Sequence, residues 1–80
     1  MTKKQKIKKE LENFFIKKDG KEILKNIKNK NLMKEGLIDS LDILTICSIL
    51  QKKFNYRVNL SNQNVLKSFE KFDKIVKLIK

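Results

Sequence analysis

The sequence predicts an all-α fold, a small four-helix bundle with a long first loop and a short third helix, in a single domain spanning residues 1–80. Three observations predict it. Apolar residues recur three and four positions apart in separate stretches, which is the spacing of one helix face. No proline interrupts any of those stretches. No β-type alternation runs longer than Tyr56 to Leu60, and no internal repeat is present.

The first helix is predicted from about Lys3 to Ile16. Thr2 and Gln5 have the spacing of a capping box, in which each side chain satisfies an orphan backbone donor of the first turn. Ile7, Leu11, Phe14 and Phe15 then form an apolar stripe, and Asp19-Gly20 supplies the stop. From Lys21 to Gly36, Asn26, Asn29 and Asn31 favour irregular backbone. This segment reads as a long ordered loop pinned by Ile23, Ile27, Leu32 and Met33. Loops of that length are uncommon in compact domains and are usually functional.

The second helix carries the clearest signal. Asp39 and Ser40 are both N-cap residue types, and Asp42 falls in the first turn, where negative charge suits the helix dipole. Leu41, Leu44, Cys47, Leu50 and Phe54 are expected on the core face. Ile43, Ile46 and Ile49 widen the apolar surface beyond one stripe, as in a central helix or one that shares a face with a ligand or partner. After Asn55-Tyr56, Val58 and Leu60 anchor a connection. Ser61 is expected to cap a short third helix through Val65 and Leu66. Ser68 is expected to cap a last helix with Phe69, Phe72, Ile75, Val76 and Ile79 on one face.

Composition narrows the chemistry. A chain this short buries only about 60% of its unfolded surface, which leaves little core in which to hollow out a deep catalytic cavity. It has one cysteine, Cys47, and no histidine. An intramolecular disulfide, a histidine general base and a Cys/His zinc cluster are therefore all excluded. Cys47 reads as a small buried hydrophobe. No apolar run approaches the roughly 20 residues that span a bilayer. The first residues lack the apolar stretch of a secretory signal, so a cytoplasmic location is expected.

The net charge is +11, but nineteen of the twenty basic residues are lysine and Arg57 is the one arginine. Lysine, asparagine and isoleucine together are what A/T-rich coding yields, and phosphate or guanine recognition favours arginine. The distribution says more than the total. Residues 1–34 hold 12 basic and 4 acidic side chains, a balance of +8, and residues 52–80 hold 8 and 2, a balance of +6. Between them, Glu35 to Gln51 has three acids (Glu35, Asp39, Asp42) and no base. An acidic, apolar island thus sits in a lysine-rich chain. A serine at the start of its helix would have an accessible hydroxyl, and a phosphodiester attached there would meet free N–H groups and the positive dipole end.

The island, Glu35-Gly36-Leu37-Ile38-Asp39-Ser40-Leu41-Asp42-Ile43-Leu44, resembles the modification site of acyl carrier proteins. Gly36, Asp39, Ser40, Leu41, Asp42 and the apolar helix ending at Phe54 carry the likeness. The order of loop and helices extends it over nearly the whole chain. The resemblance implies a 4′-phosphopantetheine arm, donated by coenzyme A and attached to Ser40, with Asp39, Leu41 and Asp42 around it. The arm's thiol would hold acyl or aminoacyl groups as thioesters, and the chain itself would catalyse nothing. Implied partners are a phosphopantetheinyl transferase and the loading and transfer enzymes of a lipid, modified-sugar or secondary-metabolite pathway. Asp39 would help the transferase place its metal and donor, and Leu41 would face partly outward and contact the partner enzyme. A cytoplasmic monomer is implied, with no nucleic acid bound and no membrane span.

One departure from the family pattern is consequential. Acyl carrier proteins usually line the exposed side of the second helix with acids, whereas Thr45, Ser48, Gln51 and Lys52 stand there in this chain. The third-helix region, Asn59 to Asn64, also lacks acids. If charge complementarity steers docking, the expectation is a specialised carrier rather than a housekeeping one. Two other readings stay open. The charge suits a small helical nucleic-acid-binding protein, and the fold suits an interaction module whose Ser40 is never modified. Ser40, Asp39 and Asp42 also have the plainer role of cap and dipole partners.

Overall fold

A computed structural model describes residues 2–78, and among them it is all-helical, with four α-helices, one short 3-10 turn and no strand. Helix α1 spans Lys3–Asp19. Its start follows from the capping box: the Gln5 amide donates to Thr2 Oγ1 at 3.2 Å, and the Thr2 amide donates to Gln5 Oε1 at 2.9 Å. The helix runs three residues past Ile16, since Lys17 and Lys18 suit the negative end of the dipole. It stops at Gly20, where φ is +86°, a conformation that disfavours a side chain. Ile7, Leu11 and Phe15 are fully buried along its inner face.

The expected loop contains a 3-10 turn, Lys21–Lys25, followed by a series of turns. Ile27 and Leu32 pin it from full burial and Ile23 is half-buried, but Met33 is 40% exposed and pins nothing. Asn31 accounts for the difference. Its Oδ1 accepts from the amides of Met33 (3.1 Å) and Lys34 (3.0 Å), a turn that sends Leu32 inward and Met33 out. The loop is tied down at Leu32, whose amide donates to Glu70 O at 2.7 Å and whose carbonyl accepts from Leu37 (2.9 Å) and Ile38 (3.2 Å).

Helix α2, Ser40–Phe54, buries Ile43, Ile46 and Leu50, with Cys47 and Phe54 half-buried on the same side. Leu41 and Leu44 were expected on this core face and are instead 73% and 56% exposed. At about 100° per residue the buried Ile43, Ile46 and Leu50 fall within about 60° of arc, while Leu44 lies about 100° and Leu41 about 160° round from Ile43, off that face. Asn55 ends α2 in the left-handed conformation, φ +52°, with Tyr56 donating back to Leu50 O at 3.2 Å.

Helix α3, Gln63–Ser68, is capped by Asn62 rather than Ser61: Asn62 Oδ1 accepts from Asn64 (2.9 Å) and Val65 (3.4 Å). Ser68 does not cap the last helix. It closes α3, its hydroxyl donating to Asn64 O at 3.1 Å, while α4 is only Phe72–Val76 and begins after Lys71 without a side-chain cap. Phe69, Phe72 and Ile75 are fully buried as expected and Val76 is half-buried, while the Ile79 expectation lies outside the described residues. Helix α1 packs on α2, α4 and the 3-10 turn, and α3 packs on α4. Phe15 meets Phe14 edge-to-face at 5.4 Å and Phe72 at 6.2 Å. The radius of gyration is 11.7 Å, that of a compact chain of this length. No helix among the described residues is long and apolar enough to cross a membrane.

Candidate functional site at the mouth of helix α2

The four residues that the sequence assigns to the site, Asp39, Ser40, Leu41 and Asp42, all lie at the start of α2. Asp39 is the N-cap and Ser40 the first helical residue, one position further in than a cap. The cap is a reciprocal pair of carboxylates. The Asp42 amide donates to Asp39 Oδ1 at 3.0 Å, and the Asp39 amide donates to Asp42 Oδ2 at 3.0 Å. With the capping done by Asp39, the Ser40 side chain is not needed for it. Ser40 is exposed, and its hydroxyl has no hydrogen-bond partner among the described residues. First-turn amides have no carbonyl four residues back, so those of Ser40 and Leu41 point out of the helix end toward whatever approaches.

One residue at the site gave no signal in the sequence. Lys18, at the end of α1, donates to Asp42 Oδ2 at 2.6 Å and also to the carbonyl of Leu37. Its ammonium thereby fastens α1, the end of the long loop and the first turn of α2 to one another. One lysine among nineteen is not distinguishable by type or spacing, and only the packing of α1 against α2 selects it.

The electrostatics follow from this contact. Burial pushes the Asp42 carboxyl up, but it is outweighed by the Lys18 hydrogen bond, the Asp39 amide, the Lys18 charge and the Asp39 side chain. The net result holds Asp42 below the ordinary carboxylate value of 3.8. Asp42 is therefore committed to the protein, its side chain only 16% exposed. Asp39 is exposed, and its second oxygen is unengaged among the described residues, so it is the carboxylate available to an approaching cation. Cys47 lies half-buried below, and burial raises its thiol pKa, which keeps it protonated and poorly nucleophilic.

Leu41 stands outward beside Ser40, and Leu44 follows it one turn on. With Thr45, Ser48, Ile49, Lys52 and Lys53 they line a shallow open groove along α2. The surface expected to be exposed on α2, at Thr45, Ser48, Gln51 and Lys52, is exposed. Among the described residues no group of three or more His, Cys, Asp or Glu side chains converges as a metal site. The arrangement presents a free primary hydroxyl at a positive helix end, next to one open carboxylate and one outward leucine.

Comparison of the chain with protein-family models, with curated proteins and with solved structures returns no match.

Proposed function

We propose that this chain is a carrier protein of the acyl-carrier type, with a 4′-phosphopantetheine arm borne on the hydroxyl of Ser40. The observation that carries the reading is the division of labour at the mouth of α2. Asp39 and Asp42 cap the helix between them, which leaves the Ser40 hydroxyl exposed and unbonded. The surroundings fit a phosphodiester on that oxygen. Open space meets it, the amides of Ser40 and Leu41 are unpaired, and Lys18 already neutralises Asp42, so one carboxylate rather than two would repel the anion.

In this reading, on a phosphopantetheinyl transferase, the Ser40 oxygen attacks the pantetheine-bearing phosphorus of coenzyme A, gives up its proton to that enzyme and displaces adenosine 3′,5′-bisphosphate as the phosphoanhydride bond breaks. Asp39 offers its open oxygen to the transferase's metal, and Leu41 offers an apolar contact beside the reacting oxygen. The arm, once bound, supplies a thiol that holds an acyl or aminoacyl group as a thioester. The chain presents cargo to loading and transfer enzymes and performs no reaction on it. The exposed side of α2 at Thr45, Ser48, Gln51 and Lys52 carries no acid, which supports a specialised pathway, in lipid, modified-sugar or secondary-metabolite synthesis, over housekeeping fatty-acid enzymes.

The test is incubation with a phosphopantetheinyl transferase, coenzyme A and magnesium, followed by intact mass. A gain of one phosphopantetheine in the wild-type chain, absent in Ser40→Ala, is expected. A chain left unmodified by several transferases contradicts the reading. The net charge of +11 favours a second reading, a nucleic-acid-binding protein. It predicts a gel shift at physiological salt that weakens steeply as salt rises.

A further inference from the structure

Three surface depressions, one along α2 and two at its junction with α1, merge into one face. The groove on α2 shares Thr45, Ile49 and Lys53 with a second groove between the helices. That second groove shares Glu10 and Lys53 with a third, which ends at Lys6, Lys9 and Phe54. The floor of the combined face is apolar, built from Phe14, Ile16 and Ile49, with Leu41 and Leu44 continuing it toward Ser40. The rim is cationic, with Lys6, Lys9, Lys17, Lys52 and Lys53 all exposed. The one acid on it, Glu10, is paired to Lys53 at 3.0 Å.

We infer that this face is the docking surface for an amphipathic helix of a partner protein that carries an apolar stripe flanked by acidic residues. Three features choose that occupant. The face is concave and lies between two helices, the shape into which a third helix fits, with apolar anchors at helical spacing. With Glu10 and Lys53 neutralising each other, the rest of its rim, at Lys6, Lys9, Lys17 and Lys52, is positive, so the complementary partner is acidic. Its floor is apolar and holds no arginine, because Arg57 is not among its lining residues, and this disfavours a phosphate backbone. A lipid surface would call for apolar side chains that protrude along the whole face, and only Leu41 and Leu44 at one end do so, whereas Phe14, Ile16 and Ile49 are half-buried. The inference does not depend on Ser40 being modified, although a partner seated here would reach Leu41 next to it.

The probe is a synthetic peptide of about 14 residues, four helical turns, with leucine at the a and d positions and glutamate elsewhere. It is titrated into the Ser40→Ala chain, so that failure of docking and failure of the carrier reading are separate results. Expected are amide shifts confined to α1 and α2 around Phe14, Thr45 and Ile49, and affinity that falls as salt rises. Leu44→Glu and Lys17→Glu, both at exposed positions, should each weaken binding about fivefold or more. Lys67→Glu and Lys74→Glu, which remove the same charge from α3 and α4, should change it less than twofold. A peptide with lysine in place of glutamate should not bind. The inference is overturned by any of four results: no binding, shifts mapping to α3 and α4, equal binding of a glutamate peptide with serine in place of leucine, or tighter protection of the same face by phosphatidylglycerol-containing vesicles than by the peptide.

Discussion

Asp42→Ala probes the mouth of α2 most sharply, because one carboxylate there serves three purposes. Its Oδ2 accepts from the Asp39 amide at 3.0 Å and from Lys18 Nζ at 2.6 Å, and its charge complements the helix N-terminus. Removing the capping acceptor costs about 1 kcal/mol. A lysine–carboxylate pair at a partly exposed site contributes about 0.5–1 kcal/mol, and the dipole interaction adds about 0.3–1 kcal/mol. The three overlap, so the expected loss is roughly 2 kcal/mol at neutral pH. For a domain of this size that lowers Tm by about 8–16 °C. Urea unfolding and a thermal melt measure it, with Lys18→Met and the double variant completing a cycle. The pair should show a coupling of about 0.5 kcal/mol or more between Lys18 and Asp42. A loss for Asp42→Ala under about 0.5 kcal/mol, or strict additivity in the double variant, refutes this account of how the mouth is held.

The depressed Asp42 carboxyl also sets a pH dependence. Between its folded value and the ordinary value of 3.8 the unfolded chain binds the extra proton, so its stabilising contribution is complete above 3.8 and is lost as pH falls through the lower folded value. Asp42→Asn should flatten that acid limb in urea unfolding compared with wild type. Ser40→Ala and Leu41→Ser, both at exposed positions, should each leave stability within about 0.5 kcal/mol of wild type, while the first abolishes and the second slows phosphopantetheine transfer. Phe72→Ala empties a fully buried ring position against Phe15 and should cost about 3–5 kcal/mol, enough to unfold much of an 80-residue chain, as circular dichroism would show. Asn55→Gly, at φ +52°, should leave stability equal or slightly higher, and Asn55→Ala should lower it by about 1 kcal/mol in the same melts. The Cys47 thiol should react slowly with a disulfide reagent in the native chain and fast in urea.

How much of this was legible in the sequence differs from helix to helix, for physical reasons. The start of α1 was legible because a capping box is local: Thr2 and Gln5 satisfy each other without help from the rest of the fold. The start of α2 was legible for the same reason, although Asp39 and Asp42 share the capping and Ser40 is left out of it. The phase of α2 was not. Leucine and isoleucine occur nearly all round that helix, so periodicity alone cannot choose between Leu41 with Leu44 and Ile43 with Ile46. Packing against the rest of the core chose the isoleucines. Near the C-terminus, the polar residues Ser61 and Ser68 each had the chemistry of a cap. The neighbouring Asn62 won the first competition with two hydrogen bonds, and α3 simply ran through the second. Lys18 could not have been found at all, since its partners Asp42 and Leu37 are brought to it only by tertiary folding.

The measurement closest to the central claim is tandem mass spectrometry of the peptide containing Ser40, taken from chain recovered from its own cells. A phosphopantetheine on the Ser40 oxygen is expected in at least part of that material. A Ser40 peptide found unmodified throughout, in cells whose other carrier proteins bear the arm, would contradict it.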